Sequence, residues 1–217
     1  MKPLFICALI CTQLTISFAQ PRFGLNLEMG VPTGEFRNNT KAEGFGFGLN
    51  FVMPMEPERR VSLGAEFSYQ IYGKHIFGID GESLSLIVNN NMILMHGLAR
   101  IRPIQGDGVV PIFEVLYGFK YLYTRSKIKD DLFGEPIEAN TDFKDTALSY
   151  GGAAGLQIPI GDHVDLELKA TYLIGGKAEY LDARVIENNG DGTFNFNSKR
   201  SETDMIVFKI AVSGSLN

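Results

Sequence analysis

The stretch Val164-Asp165-Leu166-Glu167-Leu168-Lys169-Ala170-Thr171-Tyr172-Leu173-Ile174 alternates along most of its length. Val164, Leu166, Leu168, Ala170, Tyr172 and Ile174 share one parity; Asp165, Glu167, Lys169 and Thr171 share the other. Successive side chains of a strand point to opposite faces, so this is a β-strand with one apolar face and one ionised face. Its length suits a strand that crosses a bilayer at a tilt, for which about ten residues suffice.

The same pattern recurs on both sides of it. Phe23, Leu25, Leu27, Met29 and Val31 alternate with Gly24, Asn26, Glu28 and Gly30. Phe45 to Met53 sets Phe45, Phe47, Leu49 and Phe51 against Gly46, Gly48 and Asn50, and Val61 to Ile71 sets Leu63, Phe67 and Tyr69 against Gly64, Glu66 and Ser68. A fourth strand lies within Leu86 to Arg102, where both parities are apolar from Met92 to Met95. A fifth spans Pro111 to Thr124, a sixth Ala147 to Pro159, and the last runs from about Asp204 to Leu216 with Ile206, Phe208, Ile210 and Val212 on one face. No helical period competes. The reading is all-β: one up-and-down antiparallel transmembrane β-barrel of about eight strands.

The connections alternate in length. Pro54 to Arg60, Pro103 to Val109 and Ile160 to His163 are short; Pro32 to Glu43, Gly73 to Ser83, Arg125 to Asp145 and Gly175 to Thr203 are longer and polar. An up-and-down sheet places alternate connections at opposite ends, and short turns opposite long loops match outer-membrane barrels.

Alternation alone leaves the direction of the faces open. A soluble lipocalin-like periplasmic barrel would hold its apolar face inside, around an apolar ligand. Volume argues for the inverse, because an eight-stranded interior is only wide enough to be filled by side chains. The apolar face carries large residues on nearly every strand, whereas the other face is largely Gly, Ala, Ser and Asn with charges of both signs. The inward charges are expected to be Glu28, Glu66, Glu114, Lys120, Asp165, Glu167, Lys169 and Lys209. Buried charges must be paired, so Lys120, Lys169 and Lys209 are expected to meet the acids and plug the lumen. Phe23, Tyr69, Tyr72, Tyr121, Tyr123, Tyr150 and Tyr172 are candidates for interfacial girdles.

The chain opens with Lys2, an apolar run from Leu4 to Ile10, and Ser17-Phe18-Ala19. That order of charge, apolar run and small residues is a secretory signal, expected to span 1–19 and to leave 20–217 as the barrel domain. Cys7 and Cys11 both fall inside it, so the exported part has no disulfide, thiolate nucleophile or cysteine metal site. Removing Lys2 leaves 19 basic residues against 25 acidic ones, a net of −6 that argues against nucleic-acid binding.

Val31-Pro32-Thr33-Gly34-Glu35-Phe36, after the first strand, resembles the Pro-x-Gly-x-Phe turn of the Bacteroidetes-type outer-membrane β-barrel family. Gly118 to Thr124 and Leu148 to Gly155 are similar to its strand patterns. The resemblance implies an OmpA-like eight-stranded barrel in the cell outer membrane and carries no shared catalytic residues.

Chemistry is sparse. The three histidines, His75, His96 and His163, have no spacing that joins a serine and an acid into a triad. A lipid-modifying outer-membrane enzyme stays the alternative, with Ser68, Ser149 and Ser213 as inward hydroxyls. Asn188 to Thr193 lacks the spacing and the final glutamate of a calcium loop, and Gly44 to Gly48 opens a strand, not a nucleotide-binding helix. No catalytic, cofactor or metal residue is assigned. The expected partners are outer-membrane lipid and an extracellular or envelope protein met by the long loops, with the barrel itself a monomer that needs no second copy to close its edges.

Overall fold

The computed structural model describes residues 20–56, 58, 60–78, 85–104, 106, 108–129, 138–188 and 194–215. The expected signal segment, residues 1–19, lies outside the described residues, as does most of the Asn188–Thr193 turn. Ten strands and one short helix follow in chain order: β1 (Arg22–Pro32), α1 (Gly34–Thr40), β2 (Gly44–Pro54), β3 (Val61–Gly78), β4 (Ser85–Ile101), β5 (Val110–Lys129), β6 (Glu138–Pro159), β7 (Val164–Gly175), β8 (Lys177–Asn188), β9 (Phe194–Glu202) and β10 (Met205–Ser215).

Eight of the strands close into an antiparallel barrel in the order β1-β10-β7-β6-β5-β4-β3-β2. The seam is long: Arg22 to Pro32 pairs without slippage with Ser215 to Met205. Closure leaves the wall no free edge within the part all eight strands share. Among the described residues no helix is long and apolar enough to cross a membrane, so a crossing is made by strands.

The faces resolve as side-chain volume required. Leu27 is 71% exposed, Leu25 67%, Val115 67% and Tyr117 65%, while Glu28, Glu66, Glu114 and Glu167 are buried. The lipocalin-like alternative needs the reverse and does not describe this wall. From Val61 to Ile71, at about 3.3 Å per residue and a tilt of about 40°, the apolar outer face rises about 25 Å, the height of a barrel's lipid-facing band. The inner face can close because glycines sit where strands crowd. A Cβ at Gly118 would lie 1.9 Å from the Met95 carbonyl oxygen, and one at Gly151 the same distance from that of Tyr172.

The structure corrects the sequence reading above the apolar band. Two of the long connections are partly strand: β3 runs on to Gly78, and β5 to Lys129 with β6 beginning at Glu138. Bulges at Ile71/Gly73 and Thr124/Arg125 bend this extension, which is built from β3, β4, β5 and β6 alone. The stretch Gly175 to Thr203 is mostly the β8–β9 hairpin. The turn after β1 holds α1, too short to leave a helical period. It starts at Gly34, whose φ is 56, and stops at Lys41, which adopts the left-handed conformation at φ 48. Tyr72 points inward and is 1% exposed, so it belongs to no outer girdle.

Candidate functional site

The inward residues of the barrel form two storeys. The lower one, toward the short turns, is ionic. Arg100 from β4 lies at its centre and is shared by two carboxylates. Its Nε donates to Glu114 Oε1 at 2.7 Å, and its Nη1 and Nη2 donate to the two oxygens of Glu167 at 2.8 and 2.9 Å. That fork is the geometry guanidinium offers a carboxylate, and it fixes orientation as well as charge. Lys169 sits among three acids, its Nζ 3.4 Å from Glu114, 3.7 Å from Glu167 and 3.8 Å from Glu66. Lys209 is bonded to Glu66 and lies 3.8 Å from Glu28. Gln70 donates to Glu28 at 2.7 Å and Ser213 to Glu167 at 2.9 Å. At the mouth below, Asp165 takes bonds from Arg22 and Gln157.

These side chains come from strands all around the wall, so their bonds cross the interior. Six of the eight expected charges meet there: Glu28, Glu66, Glu114, Glu167, Lys169 and Lys209. Asp165 makes its own pair at the mouth. Lys120 is a correction, since it does not join those carboxylates: its Nζ donates to the Thr203 carbonyl at 2.5 Å, and the acid near it is Asp204. Reasoning from sequence missed the two arginines. Arg100 was hidden because β4 is apolar on both parities around Met92 to Met95, and Arg22 because it precedes the alternation. Counting β4 back from Ile101, an outward residue in register with Val61, would have turned Arg100 inward.

The upper storey is apolar. Tyr72, Met92, Leu94, Leu122, Leu173, Met205 and Val207 are all at most 1% exposed and belong to one cluster. The expectation of an inner face largely of small and polar residues with charges is thereby corrected for this storey. Its roof is supplied from outside the wall. Phe36 of α1 packs against Tyr72 of β3 at a ring distance of 5.6 Å and edge-on against Tyr180 of β8 at 5.2 Å. Tyr180 Oη accepts from Asn39 Nδ2 at 3.0 Å and shares a bond of 2.7 Å with Ser201 Oγ. The α1 turn is tied to the wall where the Thr33 N–H donates to the Asp204 carbonyl at 2.9 Å.

One pair has the makings of a nucleophile. His96 Nε2 and Ser149 Oγ are 2.9 Å apart. The His96 Nδ1, which an orienting acid would occupy, has no hydrogen-bond partner among the described residues, and Glu66 directly across the strand turns to Lys209 instead. Both residues are buried, Ser149 completely. Among the described residues no group of three His, Cys, Asp or Glu side chains is arranged to hold a metal ion. His75 and His163 lie at opposite ends of the wall, in the extended part of β3 and in the turn before β7.

No protein-family model matches the chain, and no curated protein does. Solved structures do. A major outer membrane protein from Thermus thermophilus is 12% identical, with 90% of this chain and 99% of that chain covered and a TM-score of 0.50. Neisserial surface protein A is 10% identical, covers 92% of this chain and 99% of its own, and has a TM-score of 0.49. Ail, the attachment invasion locus protein of Yersinia pestis, is 12% identical with 92% and 98% covered and a TM-score of 0.49. At such identities what is shared is the fold: this chain is a closed eight-stranded β-barrel of the kind found in bacterial outer membranes.

Proposed function

We propose that this chain is an integral outer-membrane protein of the Bacteroidetes-type barrel family. On this reading it is exported by a leader over residues 1–19. It is non-enzymatic, has a plugged interior, and acts through the long-loop end by binding or bracing a partner outside the cell. The observation that carries the reading is the inversion of the wall. Leu25, Leu27, Val115 and Tyr117 stand exposed around a closed barrel, while Arg100, Lys169 and Lys209 are buried with their acids. Water would penalise that outer face and lipid would not. An ionic storey and an apolar storey stacked in one narrow interior support a structural lumen over a conducting one.

Two measurements test it on the purified full chain. Folded barrel should migrate differently on a gel before and after boiling, and should float with vesicles after a salt wash. In planar bilayers it should give no large, stable single-channel steps. Extraction by salt alone would refute the membrane assignment, and steady conductance would refute the plug.

A further inference from the structure

We propose that the outward face of the β3–β6 extension binds the phosphate-bearing headgroup of an outer-leaflet lipid. The proposal rests on the reading of the chain as an outer-membrane barrel and adds a ligand class and a place to it.

Strand pairing assembles the site. After the bulge in β3, Lys74 pairs with Asn89, Asn89 with Arg125, and Arg125 with Thr141, which makes one row across four strands. The row beneath runs Ile71, Asn91, Tyr123, Lys144, and the one beneath that begins at Tyr69 and includes Tyr121. Lys127 stands one step above Arg125. The parity is fixed by neighbours that turn inward: Thr124 donates to Asn90 at 2.7 Å, and Asn90 donates to the Leu181 carbonyl inside. Lys74, Arg125 and Lys144 are therefore outward and exposed, and Lys127 is half-buried.

Spacing makes them one site. Strands lie about 4.8 Å apart and alternate residues about 6.8 Å apart, so each cation is within about 10 Å of Arg125. Side chains of that reach converge on a phosphate ester. Among the described residues no salt bridge joins a carboxylate to any of the four.

Height identifies the source of the phosphate. The cations begin in the row of Tyr123, above Tyr69 and Tyr121. Tyr69 Oη is held by Asn91 at 2.7 Å, and the Tyr121 and Tyr123 rings stack at 5.6 Å. Tyrosines mark the interface between hydrocarbon and headgroups, so the four cations stand at headgroup level. The opposite wall has exposed cations, Arg37 and Lys41, on the α1 turn beside its end and, among the described residues, none on its own strand ends. It ends at Pro32, Gly44, Gly175 and Met205, and its outward residues there are Val31, Phe45, Ile174 and Ile206. Within the wall strands, the outward cations at this level are gathered on the β3–β6 side.

The test uses the full chain in uncharged detergent, titrated with bis-phosphorylated lipid A and, separately, with the same lipid stripped of its phosphates. The wild type should prefer the phosphorylated lipid. The variant Lys74→Gln/Arg125→Gln/Lys127→Gln/Lys144→Gln should lose on the order of tenfold or more in affinity while keeping its heat-dependent gel shift. Equal binding of both lipids, or an unchanged variant, would overturn the site. So would displacement of bound lipid A by a soluble polysulfated sugar at charge-equivalent concentration, which would assign the patch to an extracellular polyanion. A chain that salt extracts from membranes fails both readings; one that floats with vesicles but ignores phosphate fails this one alone.

Discussion

The two storeys of the interior close the same barrel by opposite means. Below, ionised groups fixed on the strands meet in the middle: Arg100, Lys169 and Lys209 against Glu28, Glu66, Glu114 and Glu167. Above, apolar side chains fill the space and two segments outside the wall roof it with Phe36 and Tyr180. The lower closure is intrinsic to the barrel and forms as the strands pair. The upper one depends on α1 and the β8–β9 hairpin docking onto a wall already built. Damage below should therefore be global, and damage above local.

The largest effect should follow Arg100→Leu. It leaves the Glu114 and Glu167 carboxylates, each 1% exposed at the side chain, short of their principal cation. Removing one partner of a buried ion pair costs about 3–5 kcal/mol. Urea titration of the refolded protein in detergent, followed by the heat-dependent gel shift, should show the midpoint falling by a corresponding amount. Arg100→Lys should fall in between, since charge returns but the fork to Glu167 does not. A midpoint unmoved by Arg100→Leu would mean that Lys169 alone neutralises both acids, and that the lower storey is redundant.

The same division explains what was legible in the sequence. Wall residues obey period two, so Glu66, Glu114, Glu167, Lys169 and Lys209 could be assigned to the interior by parity, and alternation together with connection length specified eight antiparallel strands. Lys120 also has inward parity, yet parity gives no height, and it lies beside Thr203 and Asp204, apart from the acids of the lower storey. Arg100 was lost because lipid-facing Ile93 and Met95 and inward Met92 and Leu94 are alike in hydropathy. Strand ends were misjudged for a related reason. Apolar alternation ends where the lipid ends, whereas hydrogen bonding continues through Lys74, Arg125 and Lys127 into the extension. The roof left no trace, because Phe36 and Tyr180 lie in short segments whose partners are distant in sequence.

Phe36→Ala should come next. Phe36 is fully buried and touches two rings, so its truncation costs about 3 kcal/mol. The loss should fall on docking of the roof and spare barrel closure. Limited proteolysis should cut within 177–202 faster, while the heat-dependent gel shift and the urea midpoint change little. A midpoint that drops as far as that of Arg100→Leu would show the two storeys folding as one unit and would erase the distinction between them.

The smallest effects should differ in sign within the roof itself. Tyr180→Phe keeps the ring against Phe36 but removes the hydroxyl that accepts from Asn39 and bonds Ser201, a loss of about 1 kcal/mol. Tyr72→Phe keeps its ring contact with Phe36 as well, yet the Tyr72 hydroxyl is buried with no hydrogen-bond partner among the described residues. Deleting an unsatisfied buried hydroxyl relieves its desolvation, so this variant should be neutral or more stable by up to about 1 kcal/mol. Proteolysis rates for 177–202 should thus rise about fivefold for Tyr180→Phe and stay level or fall for Tyr72→Phe. Equal acceleration by both would mean that the Tyr72 hydroxyl has a partner in solution, and that the roof is held by two polar anchors instead of one.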